Sequence, residues 1–278
     1  MIVCKTRKEL AQALAACPKD ASIGLVPTMG ALHEGHASLF KRARAENDVF
    51  VASVFVNPIQ FNNPEDLRNY PRDFEADRKL LEANGCDIVF APSVEEMYPE
   101  GEPLKSYSFG SLETVMEGAQ RPGHFKGVGV VVGLLFELVN PTRAYFGEKD
   151  FQQVAVIQDL VRQMGIKTQI VPCPIKRYED GLAQSSRNAL LTPEHRALAP
   201  KIYATLKKSK EMAEKSCKDV KDFVCAQIAA VPEMKLEYFE IARPDSLQTV
   251  PDDEPAQGNV GFIVVWMGKV RLIDNIRY

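Results

Sequence analysis

Over its first 175 or so residues the chain alternates short apolar runs with amphipathic stretches. Residues 22–26 and 49–56 (VFVASVFV) are almost wholly apolar, the pattern of strands buried on both faces of a sheet. Residues 10–16, 39–46 and 74–83 instead place apolar side chains at helical spacing, which predicts helices with one buried stripe. The series continues with a strand over 87–90, an apolar helix over 127–139, a strand over 144–146, a helix over 151–164 and a strand over 168–171. Strands and helices in turn make βαβ units, whose right-handed crossovers build a parallel sheet with ligand groups at the carboxyl ends of its strands. Three segments fall at such ends: Thr28-Met29-Gly30, Asn57-Pro58-Ile59-Gln60 and Gly147-Glu148-Lys149-Asp150.

After Pro172 and Pro174 the pattern changes. A long polar helix is expected over 193–215 and a second over 220–230, followed by strands over 236–242, 260–266 and 270–276. The last two strands read as a hairpin turned at Met267-Gly268-Lys269. This predicts an α/β protein with a parallel-sheet domain over residues 1–175 and a smaller α+β domain over 176–278.

Composition narrows the function classes. The length of 278 residues suits about two domains, and a net charge of −3 argues against a general nucleic-acid surface. Any phosphate chemistry must then be local. The first eight residues lack the apolar core of a signal peptide. The longest apolar stretch, 128–139, contains Glu137 and is too short to span a bilayer. Six cysteines occur without a C-x-x-C pair and read as reduced, mostly buried thiols of a cytoplasmic protein.

The densest chemistry lies at residues 27–36, PTMGALHEGH. A strand that ends in a glycine-containing turn and opens a helix leaves backbone N–H groups at the positive end of the helix dipole, which suits a polyphosphate. His33 and His36 are spaced i,i+3, which puts both rings on one face of a first helical turn. The same pair reads alternatively as a helix start whose imidazoles satisfy local backbone groups. Zinc is disfavoured, because the H-E-x-x-H helix needs histidines four apart. Lys149 stands at another strand end, where an ammonium reaches a phosphate or merely forms a solvated cap pair with Asp150. Ser185, Ser186 and Arg187 lie in the connector between domains, either as a phosphate clamp or as a capped turn. Neutral amides after a strand, Asn57 and Gln60, with Gln152 and Gln153 on a helix, either suit a small organic acid through its hydroxyl and carboxylate groups or serve the structure alone.

Seven ordered segments together closely resemble the pantothenate synthetases, the pantoate–β-alanine ligases: PTMGALHEGH (27–36), FVNPIQF (55–61), YPR (70–72), RPGHFKGV (121–128), YFGEKDFQQ (145–153), DGLAQSSRN (180–188) and RLIDNI (271–276). The resemblance implies a Rossmann-like domain over 1–175 that binds ATP and D-pantoate, with the smaller C-terminal α+β domain closing over the active site. It implies a cytoplasmic homodimer that condenses D-pantoate with β-alanine, turning ATP into AMP and pyrophosphate through a pantoyl adenylate. Magnesium would arrive with ATP, and neither nucleic acid nor membrane is implied as a partner.

Carried onto this chain, the resemblance assigns ATP binding to Met29, Gly30, Ala31, Leu32, His33, Glu34, Gly35 and His36, to Gly147, Glu148, Lys149 and Asp150, and to Lys176, Gln184, Ser185, Ser186 and Arg187. His36, His33, Lys149, Ser186 and Arg187 take the catalytic roles. Gln60, Gln153, Met29, Phe55, Asn57, Val131 and Val132 are implied around pantoate, with Phe55 and the two valines against its methyl groups. For Val131 and Val132 a buried helix face is the alternative. Gln184 departs from the Leu or Met usual in the family, and so does the Lys176-Arg177-Tyr178-Glu179 segment. Asp77 corresponds to a position near magnesium in the family, but its neighbour here is Ala76, so no residue of this chain is assigned to a metal. Two other classes stay open at this point: an enzyme moving AMP onto a phosphate acceptor, and a nucleotide-binding protein without catalysis.

Overall fold

The computed structural model describes residues 1–278 and divides into two compact units. The first comprises Met1–Glu113, Glu117–Glu148 and Gln153–Pro174; the second comprises Thr114–Met116, Lys149–Gln152 and Ile175–Tyr278. Lys149 therefore groups with the second unit although it follows a strand of the first.

The strands and helices of the first unit's sequence run β1 (Ile2–Cys4), α1 (Arg7–Ala15), β2 (Ile23–Thr28), α2 (Glu34–Glu46), β3 (Val49–Val54), α3 (Pro64–Asn69), α4 (Phe74–Ala83), β4 (Ile88–Phe90), α5 (Val94–Met97), α6 (Met116–Gln120), α7 (His124–Val139), β5 (Arg143–Gly147), α8 (Phe151–Met164) and β6 (Gln169–Cys173). The strands form one parallel sheet in the order β1-β4-β3-β2-β5-β6. Alternation along each strand feeds two cores. Val49 and Val51 join one apolar cluster with residues of α1, α7 and α8, while Phe50 and Ala52 join another with residues of α2 and α4. A sheet covered on both faces explains why its strands read as continuous apolar runs.

The strand order places a topological switch point between β2 and β5, because β3 lies on one side of β2 and β6 continues beyond β5. Ligands of open α/β sheets bind in the crevice at the carboxyl ends of such a pair. β2 ends at Thr28 and β5 at Gly147, so the turn that follows β2 starts at this crevice.

The second unit carries α9 (Pro193–Leu198), α10 (Lys201–Ser209), α11 (Cys217–Ala229), and the strands β7 (Met234–Ala242), β8 (Val260–Met267) and β9 (Val270–Arg277), which form an antiparallel sheet in that order. The single helix expected over 193–215 is broken. Pro200 offers no N–H to the preceding turn and its ring collides with the carbonyl four residues back, so α9 stops at Leu198 and α10 starts at Lys201. The β8–β9 hairpin turns on two residues, Gly268 and Lys269, with Met267 paired to Val270. Gly268 has φ +60° while Lys269 does not enter positive φ, the requirement of a type II′ turn. All six cysteines are free thiols, four of them buried. No helix is long and apolar enough to cross a membrane.

Candidate active site

Between β2 and α2 the chain reverses through two residues of positive φ, Gly30 (+81°) and Ala31 (+50°). What holds this turn is Asp77 on α4. Its carboxylate accepts the N–H of Ala31 at 3.1 Å and of Leu32 at 2.7 Å. Sequence reasoning left the amides of the turn open for a ligand, whereas a side chain 45 residues away occupies two of them. Asp77 is only 3% exposed, and burial pushes its carboxyl above the usual range while the two N–H donors pull it back. A β-carbon on Gly30 would stand 2.8 Å from Asp77 Oδ2. Gly30→Ala therefore combines that overlap with left-handed backbone and is expected to lower stability by about 1–2 kcal/mol from the backbone alone, read as a shift of the urea midpoint at unchanged slope.

The imidazoles of the histidine pair satisfy local backbone groups at the start of α2. His33 is the N-cap of α2, and its Nδ1 accepts the Gly35 N–H at 3.0 Å. His36, at the third helical position, returns the bond: its Nδ1 accepts the His33 N–H at 3.3 Å. This is a capping box built from two imidazoles. An Nδ1 that accepts cannot carry a proton, so each ring is held as the neutral tautomer with its proton on Nε2. Two Nε2–H donors result, on rings whose centroids are 4.1 Å apart.

The acid-binding candidates form a network whose amide orientations follow from backbone partners. Asn57 is wholly buried. Its Nδ2 donates to the Gly127 carbonyl at 3.1 Å, and its Oδ1 accepts from the Ile59 N–H and the Tyr98 hydroxyl, the latter at 2.9 Å. Carbonyl and N–H are unambiguous, so they set which end of Asn57 is which. Nδ2 also donates to Gln60 Oε1 at 3.1 Å. Gln60 therefore turns its NH2 the other way, toward Met29 Sδ at 3.0 Å. What Gln60 has to offer is a donor.

Beneath it, His124 Nδ1 meets the Gln60 carbonyl at 2.8 Å and Arg121 stands 3.2 Å from His124 Nε2. A cavity of about 410 Å³ in the same unit has Met29, Gly30, Phe55 and Asp77 in its lining, while Asn57, Gln60, His33 and His36 lie outside that lining; its volume is in the range of small-molecule sites. Val131 and Val132 are 7% and 4% exposed and belong to the core around α7. Packing alone accounts for both. Gln153 lies partly exposed on α8.

In the second unit, Lys149 sits in a 3₁₀ turn over Glu148–Asp150, with its ammonium 3.6 Å from Asp150 and its side chain 18% exposed. Ser185 caps the short turn Ser186–Leu190: its hydroxyl accepts the Arg187 N–H at 3.3 Å, and its own N–H donates to Asn188 Oδ1 at 2.7 Å. The Gln184 N–H donates to the Lys176 carbonyl at 2.9 Å, and its side-chain Oε1 is buried without a partner. The first unit thus gathers residues 29–36 with Gln60 and Asn57, and the second holds Lys149 and the serine turn. Tyr98, and Asp77 as the clasp of the turn, were invisible in the sequence. His124 and Arg121 had a visible signal in the RPGHFKGV segment.

A family model described as Pantoate-beta-alanine ligase matches residues 2–277. The chain is 55% identical over 280 residues to a pantothenate synthetase of Bacteroides fragilis, covering 100% of this chain and 99% of the relative. With one of Corynebacterium glutamicum it shares 49% over 284 residues, covering 99% of each. Among solved structures, pantothenate synthetase from Thermus thermophilus matches with a TM-score of 0.92 at 45% identity, over 100% of this chain and 99% of that one. Pantoate-beta-alanine ligase from Francisella tularensis, complexed with beta-gamma ATP and beta-alanine, matches with a TM-score of 0.84 at 37% identity, over 100% and 97%.

Proposed function

The chain belongs to the pantoate-beta-alanine ligase family, and we propose that it condenses D-pantoate with β-alanine by way of a pantoyl adenylate, consuming ATP and releasing AMP and pyrophosphate, as a cytoplasmic homodimer. One observation carries this reading. Met29, which touches Gln60, opens the same turn that ends in the two imidazole donors. A donor suited to a carboxylate or hydroxyl oxygen thereby rests against the first residue of the element that carries donors suited to phosphate.

In the first step a pantoate carboxylate oxygen attacks the α-phosphorus of ATP. The bond from that phosphorus to the bridging oxygen breaks, and pyrophosphate leaves. Such a transfer needs positioning and charge stabilisation more than covalent help. The Nε2–H groups of His33 and His36, the Lys149 ammonium, the Ser186 hydroxyl and the Arg187 guanidinium are assigned to the phosphate oxygens. In the second step the neutral amine of β-alanine attacks the acyl carbon, the carbon–oxygen bond to AMP breaks, and the amide forms as the nitrogen gives up one proton to solvent. Magnesium enters as the counter-ion of the nucleotide. Asp77 is spent on Ala31 and Leu32 and is assigned no metal.

Gln60 NH2 and Gln153 are assigned to the hydroxyl and carboxylate oxygens of pantoate. Gly127 on α7 packs against the Gln60 segment, where a β-carbon would stand 2.8 Å from Gln60 N and Cα. Backbone cannot rotate aside. Gly127→Ala should therefore raise the KM for pantoate about tenfold or more, the scale of one misplaced hydrogen bond, and leave that for ATP within about twofold; equal changes in both would show a general loss of folded enzyme.

The function itself is tested by ATP–pyrophosphate exchange. Exchange that depends on pantoate and proceeds without β-alanine supports the ligase reading. Exchange that ignores pantoate but needs a phosphate acceptor supports transfer of AMP to phosphate, and binding of ATP without exchange supports a non-catalytic protein.

A further inference from the structure

The closing RLIDNI segment takes no part in the chemistry just assigned, yet β9 carries two buried polar residues there, Asp274 and Asn275, each 6% exposed. Arg177 grips Asp274 with both arms of its guanidinium, at 2.6 Å to Oδ2 and 2.9 Å to Oδ1. The same guanidinium stacks 3.6 Å from the Tyr203 ring centroid and donates to the Gly181 carbonyl at 3.2 Å. With its charge neutralised inside the unit, Arg177 is an anchor rather than a phosphate ligand. It stands in a small antiparallel turn: Arg177 bridges Ala183, the Tyr178 N–H donates to the Leu182 carbonyl, and the Gln184 N–H donates to the Lys176 carbonyl. That turn delivers the chain directly to Ser185, Ser186 and Arg187.

The neighbouring residue on the strand points to the other cation. Asn275 Nδ2 donates to the main-chain carbonyl of Lys149 at 3.2 Å, and the Asn275 N–H donates to Asp274 Oδ1 at 2.8 Å. Resting on the reading of Lys149 and the serine turn as nucleotide-binding, we propose that Asp274 and Asn275 are positioning residues for ATP: one strand sets the main chain of Lys149 and, through Arg177, the base of the Ser185–Arg187 segment. Neither touches substrate. A fork-shaped guanidinium–carboxylate pair fixes direction as well as distance, and pre-set donors lose less on binding a charged ligand than donors that must be ordered.

The test is calorimetric affinity for a non-hydrolysable ATP analogue and for pantoate, in the full-length wild type and in the N275A and D274N variants. N275A leaves the Arg177–Asp274 pair in place and decides the question even if D274N, which strips the charge from a buried ion pair, fails to fold. The expected result for N275A is nucleotide affinity weakened about tenfold, the scale of one positioned hydrogen bond, with pantoate affinity within about twofold. Nucleotide affinity equal to wild type in N275A, or parallel losses for both ligands, overturns the proposal. Pantoate-dependent exchange by the wild type is a separate result and bears only on the ligase reading.

Discussion

His36→Ala is expected to slow pantoate-dependent ATP–pyrophosphate exchange by about 10²–10³-fold at saturating substrates, the usual effect of removing one preorganised donor from a developing oxyanion. Lys149→Ala should do the same. Alanine at position 36 also removes the acceptor for the His33 N–H, so its effect mixes chemistry with capping. His36→Gln separates the two. Glutamine at the third helical position is the ordinary capping-box partner and keeps the returned bond to the N-cap, but it has no imidazole Nε2–H. The expected outcome is a melting temperature close to wild type with exchange still slowed about 10²-fold. Exchange restored by glutamine would reduce His36 to a helix cap.

Gln60→Ala is expected to lower kcat/KM for pantoate by as much as about 10⁴-fold, because a site built to pair a substrate hydroxyl loses that much when the pair is missing. Contacts with methyl groups are worth only about 10–200-fold by comparison, so Val131→Ala and Val132→Ala should act mainly on stability, as befits side chains in the core of α7. The sense of the amide gives a sharper form of the prediction. Asn57 Nδ2 keeps an acceptor of residue 60 facing itself, so Gln60→Glu preserves that bond while turning the substrate-facing donor into an acceptor. It should match or exceed the loss in Gln60→Ala despite its nearly unchanged size. Wild-type pantoate kinetics in Gln60→Glu would mean that Gln60 offers its oxygen, or nothing, to the substrate.

Periodicity carried most of the fold. The runs at 74–83 and 151–164 coincide with α4 and α8, because one apolar stripe against a covered sheet is a local pattern. β1 went unread because three residues, Ile2–Cys4, show no periodicity and become a strand only by pairing with β4. The 193–215 helix was overextended because helical spacing resumes after Pro200, and the pattern outweighed the missing N–H. At the site, residue types were legible and partners were not. His33 and His36 could be seen as a pair, but not that each caps the other's segment through Nδ1. Asp77 could be compared with a position near magnesium, but not seen as the acceptor for Ala31 and Leu32. Burial decides such assignments. A carboxylate in water has many uses, whereas one sealed against two amides has been committed to them.

Transfer of oxygen tests the central claim, adenylation of a carboxylate at the β2–α2 turn, most directly. Pantoate labelled with 18O in its carboxylate, turned over with ATP and β-alanine, should leave one labelled oxygen in the phosphate of AMP, because the acyl oxygen that attacked the α-phosphorus departs with it. AMP free of label, or label found in inorganic phosphate, would contradict a pantoyl adenylate and with it the assignment of His33 and His36 to the phosphate oxygens.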